Sequence, residues 1–117
     1  MHGYSRAFLI SHTNGGAAGV SKTKAIDTIE SGPIMGLYAS RYAASLYGLT
    51  HAVALDVGGT TAKIGVILNG GLVRWKQPVI FDIPVKLALP YLKSISLGGG
   101  SVAKISRGVG VGDTRAI

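Results

Sequence analysis

The chain has 117 residues, 47% of them hydrophobic and only 15% charged, with a formal charge of +7 and no cysteine. That length suits one domain, and the absence of thiols excludes disulfides, thiolate zinc sites and cysteine nucleophiles. A mean hydropathy of +0.38 excludes disorder and exceeds what a free-standing domain of this size needs, which predicts apolar surface facing a partner, a homo-oligomer included.

In chain order, Ala7-Phe8-Leu9-Ile10 reads as a strand and Thr13-Asn14-Gly15-Gly16 as the turn that ends it. A loop or short helix is expected over 17–30. Within it, Gly16-Ala17-Ala18-Gly19-Val20-Ser21-Lys22-Thr23 differs from a Walker A loop in having Ser21 where glycine is required. Ser21 lacks the unhindered backbone of a phosphate cradle, which argues against that reading. Ser31-Gly32-Pro33 then starts a helix, with Ser or Gly near the N-cap and Pro33 in the first turn, running to about Tyr47 and stopping at Gly48. Met35, Tyr38, Ala39, Tyr42, Ala43 and Leu46 share one face and are expected to be its core stripe. The outer face, with Leu37 and Ala44, is hardly more polar, which suits a helix covered on both sides.

The most informative stretch is AVALDVGGTTAKIGVIL, 52–68. Ala52–Leu55 and Ile64–Leu68 are apolar runs expected as core strands buried on both faces. Between them, Gly58 and Gly59 permit positive φ and close approach of backbone N–H groups to an anion, while Thr60 and Thr61 add hydroxyl donors. Asp56, where the strand gives way to the turn, is placed to hold Mg²⁺ through water or to orient a nucleophile. Lys63 is placed to reach a phosphate. The same residues also suit a plain tight hairpin with a capping Asp and a solvated Lys.

Asn69-Gly70-Gly71 is a turn signal, and Leu72 to Phe81 reads as an extended segment carrying Trp75. Pro78, Pro84 and Pro90 interrupt the chain from there to about residue 90. Ile95-Ser96-Leu97 leads into Gly98-Gly99-Gly100-Ser101, where a ligand or another backbone can approach closely, and Val102–Ile105 reads as a strand. Gly108-Val109-Gly110-Val111-Gly112 lacks the spacing of a dinucleotide fingerprint.

His2, His12 and His51 show no metal-ligand spacing. The twelve Lys and Arg residues are scattered without a run of three and without interleaved aromatics, which speaks against nucleic acid and for a basic field attracting phosphorylated or carboxylate ligands. No apolar run approaches the roughly 20 residues of a membrane span, and the N-terminus lacks a signal-peptide pattern, so a cytoplasmic location is expected.

Four segments in order, Thr13–Gly16, Thr28-Ile29-Glu30-Ser31-Gly32-Pro33, Asp56–Lys63 and Ser94–Ala103, resemble the hydantoinase/oxoprolinase family over nearly the whole chain. The resemblance implies a partial α/β domain spanning 1–117, ribonuclease-H-like as in actin-like ATPases, with a mixed sheet and flanking helices. It implies ATP and a divalent metal, Mg²⁺, used to activate an amide or carbonyl oxygen. The outcome is opening of a hydantoin or lactam ring, or carboxylation of a ketone in related carboxylases. Asp56 is then the catalytic and metal-holding carboxylate. Gly58, Gly59, Thr60, Thr61 and Lys63 form the phosphate loop, Gly98, Gly99, Gly100 and Ser101 line the nucleotide cleft, and Ser31 and Gly32 offer a helix N-terminus to an anion. Phosphorylating an amide oxygen makes an activated imidate, and needs positioning and charge neutralisation rather than a Ser-His pair.

Family members are longer and carry an earlier Asp-Gly-Gly-Thr loop that this chain lacks, and many have aspartate at the position of Lys63. The chain is therefore expected to be an excised domain, a truncated product or one piece of a split enzyme, active only with its missing half or a partner subunit. A non-catalytic nucleotide-binding or structural module is the competing expectation.

Overall fold

The computed structural model describes residues 3, 6–80, 82–86, 88–105 and 111–115. They form a mixed α/β arrangement in which one α-helix packs on a four-stranded sheet, accompanied by three two-stranded sheets. Every strand pair is antiparallel. The α/β class holds, while the expected mixed sheet with flanking helices is corrected, among the described residues, to antiparallel sheets and one α-helix.

Strands β1 (Leu9–Ser11) and β2 (Ala17–Gly19) form a hairpin whose turn is closed by the Gly16 N–H donating to Asn14 Oδ1 at 2.8 Å, the local bond that makes Asn a turn residue. Two short 3-10 turns, Val20–Lys22 and Ala25–Thr28, come next. The segment resembling a Walker loop is thus strand and 3-10 turn, and it enters no α-helix. Thr13 is buried, its hydroxyl 2.7 Å from the carbonyl oxygens of both Asp27 and Ile29. This ties the hairpin to the approach to the helix.

Helix α1 (Ser31–Leu46) carries Pro33 in its first turn and ends before Gly48, which is left-handed at φ 66. Its N-cap is Glu30 rather than Ser or Gly. Glu30 is left-handed at φ 56, and no side chain caps the helix. The expected core stripe is also corrected. Ile34, Leu37 and Ala44 are the buried residues, while Tyr42 and Leu46 are 66% and 67% exposed. A helix apolar all round does not announce its inner face; the partner surface selects it. Here Leu37 packs where Gly65 of the sheet has no side chain, and a β-carbon at Gly65 would collide with the Leu37 methyl groups.

Strands β3 (Ala52–Val57) and β4 (Ala62–Leu68) make the central hairpin, in register from Ala52 opposite Ile67 to Val57 opposite Ala62. β4 then turns through Asn69 and Gly70, at φ 51 and 73, into β5 (Gly71–Leu72). Two successive positive φ values define the two-residue turn that matches strand twist, and Asn-Gly is its preferred sequence. β4 also pairs with β8 (Leu92–Ile95), so it is the central strand and holds the buried Ala62, Gly65 and Ile67. β3 is an edge strand with only one face covered. Val53, Leu55 and Val57 are 70%, 62% and 55% exposed, which corrects the expectation of burial on both faces.

Between β5 and β8 the chain leaves the sheet, as its prolines require. β6 (Val79–Ile80) and β7 (Ile83–Pro84) form a small hairpin with Asp82 left-handed between them. The excursion is pinned to the body by an isolated bridge between Arg74 and Pro90 and by Trp75 packing on Tyr91 at 4.6 Å between ring centres. Strands β9 (Ser101–Ile105) and β10 (Val111–Arg115) close the described chain as an antiparallel pair. Residues 108–110 of the terminal Gly-Val repeat, and Phe81, lie outside the described residues.

Candidate functional site

The turn between β3 and β4 spans Gly58–Thr61 and is closed by the Gly58 N–H donating to Thr61 O at 2.9 Å. Neither Gly58 nor Gly59 takes positive φ, so their value lies elsewhere. The Gly99 N–H donates to Gly58 O and the Gly100 N–H to Gly59 O, each at 2.9 Å. The triple glycine lies directly on the hairpin turn. A β-carbon at Gly98 would stand 2.6 Å from Gly59 O, closer than real β-carbons come. Glycine is therefore needed at 98 to let one backbone approach another. The triple-glycine turn is closed by the Ser101 N–H to Gly98 O at 2.9 Å and by the Gly98 N–H to Ser101 Oγ at 3.0 Å. Two of the segments singled out in the sequence thus form one unit, 40 residues apart along the chain.

Asp56 and Lys63 are cross-strand partners on the face of the hairpin that meets α1. They border a cleft of about 180 Å³ whose other wall is formed by Pro33, Gly36 and Ser40 of the helix. An Asp56 carboxylate oxygen lies 3.9 Å from where a Gly36 β-carbon would be. The carboxylate is exposed and makes no hydrogen bond or ion pair among the described residues. Lys63 does not point to open space. Its Nζ donates to Glu30 Oε1 at 2.9 Å, with the two side chains 18% and 48% exposed.

Ser31 and Gly32 stand at the start of α1, next to Glu30 and so near the Lys63 ammonium, but neither borders the Asp56 cleft. The exposed Thr60 and half-buried Thr61 lie on the hairpin turn. Sequence patterns did not single out Glu30, although it lies within the Thr28–Pro33 motif. Its signal was a carboxylate immediately before a helix start. A second cavity, of about 260 Å³, is bordered by both Lys63 and Glu30 and walled mainly by apolar groups including Trp75, Ile34 and Leu92.

No cluster of three or more His, Asp or Glu residues able to hold a metal occurs among the described residues. A lone unpaired carboxylate beside backbone-rich turns fits Mg²⁺, which keeps most of its waters and takes one or two carboxylates plus ligand oxygens. It does not fit zinc, whose sites take three or four protein ligands. No helix among the described residues is long and apolar enough to cross a membrane.

Known proteins resemble this chain over most of its length. The acetophenone carboxylase gamma subunit of Aromatoleum aromaticum is 38% identical over 106 residues, 90% of this chain and 14% of that protein. The caprolactamase alpha subunit of Pseudomonas jessenii is 28% identical over 97 residues, 80% of this chain and again 14% of that protein. A solved nucleotide-free acetone carboxylase, from work on ATP-dependent acetone carboxylation, superposes with a TM-score of 0.73 at 25% identity, covering 93% of this chain and 16% of that one. The chain therefore spans about a seventh of the length of these relatives. The model of the hydantoinase/oxoprolinase family matches residues 2–116, and the chain belongs to that family.

Proposed function

We propose that this chain is the phosphate- and metal-binding portion of an enzyme that uses ATP to activate a carbonyl or cyclic-amide oxygen. The observation that carries the reading is the backbone junction of Gly58–Gly59 with Gly98–Gly100 beside the unpaired Asp56. Thr60, Thr61 and Ser101 offer hydroxyl donors beside the two glycine turns, where a polyphosphate would lie. Asp56 would hold hydrated Mg²⁺. That cation, when bound, neutralises the charge of the phosphates. Lys63 supplies a nearby positive charge, and the start of α1 at Ser31 and Gly32 adds the positive end of the helix dipole.

A ribonuclease-H-like core accords with a sheet edge flanked by one helix, and we assign the chain to one half of a nucleotide cleft closed by a second half. The open edge and exposed apolar face of β3 are where further chain, or a partner subunit, would continue the sheet. Ring opening of a hydantoin or lactam and carboxylation of a ketone share the same first demand, an oxygen made into a leaving group or an enol phosphate. Relatives named as a caprolactamase and as ketone carboxylases support both outcomes equally. ATP use in the cytoplasm is consistent with either.

The test is isothermal titration of the chain with a non-hydrolysable ATP analogue and Mg²⁺, alongside Asp56→Ala. Saturable binding weakened at least about tenfold in the variant is the expected result. No saturable binding by the unsubstituted chain, or equal binding by both, overturns the assignment and favours a structural module.

A further inference from the structure

Lys63 has two carboxylates within reach of its flexible stem. Asp56 lies directly opposite in the β3–β4 register, and opposed residues carry their β-carbons about 4.5–5.5 Å apart on one face. The ammonium nevertheless goes to Glu30, 33 positions away in sequence, at 2.9 Å. Glu30 reaches it from a left-handed backbone, φ 56, a conformation disfavoured for residues bearing a β-carbon. The Glu30 carboxylate makes no capping bond to α1, so its partner among the described residues is Lys63. Local preference is set aside at Glu30, and the outcome is that Asp56 is left unpaired.

We propose that Glu30 is a positioning residue that holds Lys63 at the start of α1, keeps the ammonium off Asp56, and thereby leaves that carboxylate open to a hydrated divalent cation. The inference rests on the proposed role of Asp56 as the metal-holding carboxylate. Without Glu30, the nearest carboxylate for Lys63 is its cross-strand partner. A cation arriving at Asp56 then has to displace an ammonium group and work against its charge.

Glu30→Gly is the informative variant, because glycine accepts the left-handed backbone and the fold is kept. The probe is Mn²⁺ alone, followed by paramagnetic relaxation of water protons, with NMR cross-relaxation between the Lys63 ε-protons and the Asp56 β-protons as the second readout. Expected are new Lys63–Asp56 cross-peaks and Mn²⁺ affinity lower by roughly threefold to fivefold, the strength of a part-exposed ion pair. The double variant Glu30→Gly/Lys63→Met is expected to recover the original affinity, which a merely structural role for Glu30 would not produce. Unchanged Mn²⁺ affinity in Glu30→Gly, or no recovery in the double variant, overturns the inference. New cross-peaks together with no Asp56-dependent Mn²⁺ binding in the unsubstituted chain overturn the metal role of Asp56 in the proposed function, while supporting the placement of Lys63 by Glu30.

Discussion

Replacing Gly98 with alanine tests the backbone junction most directly. The new β-carbon would lie 2.6 Å from Gly59 O and 2.7 Å from two further backbone carbons, where ordinary contact begins at 3.4 Å. The two turns must therefore separate by about 0.8 Å, which stretches both 2.9 Å bonds between them, Gly99 N–H to Gly58 O and Gly100 N–H to Gly59 O, beyond hydrogen-bonding distance. Two lost backbone bonds at about 0.5–1.5 kcal/mol each give a destabilisation of about 1–3 kcal/mol. Loss of backbone freedom in the unfolded chain returns about 0.4–1 kcal/mol of this. The control is Gly99→Ala, whose β-carbon meets nothing nearer than Gly58 O at 3.8 Å and is expected to change stability by less than about 0.5 kcal/mol. Urea unfolding followed by the fluorescence of Trp75, the one tryptophan in the chain, measures both, and amide hydrogen exchange at residues 99 and 100 reads the junction itself. If Gly98→Ala is as stable and as protected as Gly99→Ala, glycine is not required there for backbone approach, and the unit built from the two turns is wrong.

The inner face of α1 is tested by Leu37→Ala, which removes a side chain 2% exposed against Gly65 and is expected to cost about 2–5 kcal/mol; Tyr42→Ala, at 66% exposure, is expected to cost under about 0.5 kcal/mol by the same unfolding assay. The exposed face of β3 predicts that Val53→Thr with Leu55→Thr leaves stability within about 0.5 kcal/mol per site while reducing self-association in sedimentation velocity. A loss above that range would mean that these side chains are covered within the chain itself.

The sequence was most readable where local chemistry alone decides the structure. The Asn69-Gly70 turn, the Asn14-centred turn, Pro33 in the first helical turn and the stop at Gly48 each depend on one or two residues whose φ preference or side-chain bond acts within a few positions. The face of α1 was not readable, because Leu37 and Tyr42 are both apolar and only the missing side chain at Gly65, far along the chain, distinguishes them. The exposure of β3 was hidden for a related reason: an apolar run is written the same way whether its cover lies within the chain or outside it. At the triple glycine the sequence marks a place of close approach by a ligand or another backbone, and what approaches it is the hairpin turn itself. Glu30 is legible in the sequence only as part of the Thr28–Pro33 segment, since its contact with Lys63 is one that no spacing rule encodes.

The junction of the glycine turns also bears on the order in which the chain assembles. β3, β4 and β5 are joined by tight turns of four and two residues, so their pairing closes short loops and forms readily. Docking Gly98–Gly100 onto Gly58 and Gly59, like pairing Leu92–Ile95 with the flank of β4, instead closes a much longer loop through the excursion between β5 and β8. The corner where the two glycine turns meet is accordingly expected among the last parts to form. Without that pairing the flank of β4 that β8 covers would be left as an open sheet edge, the kind of edge on which a second chain can add a strand.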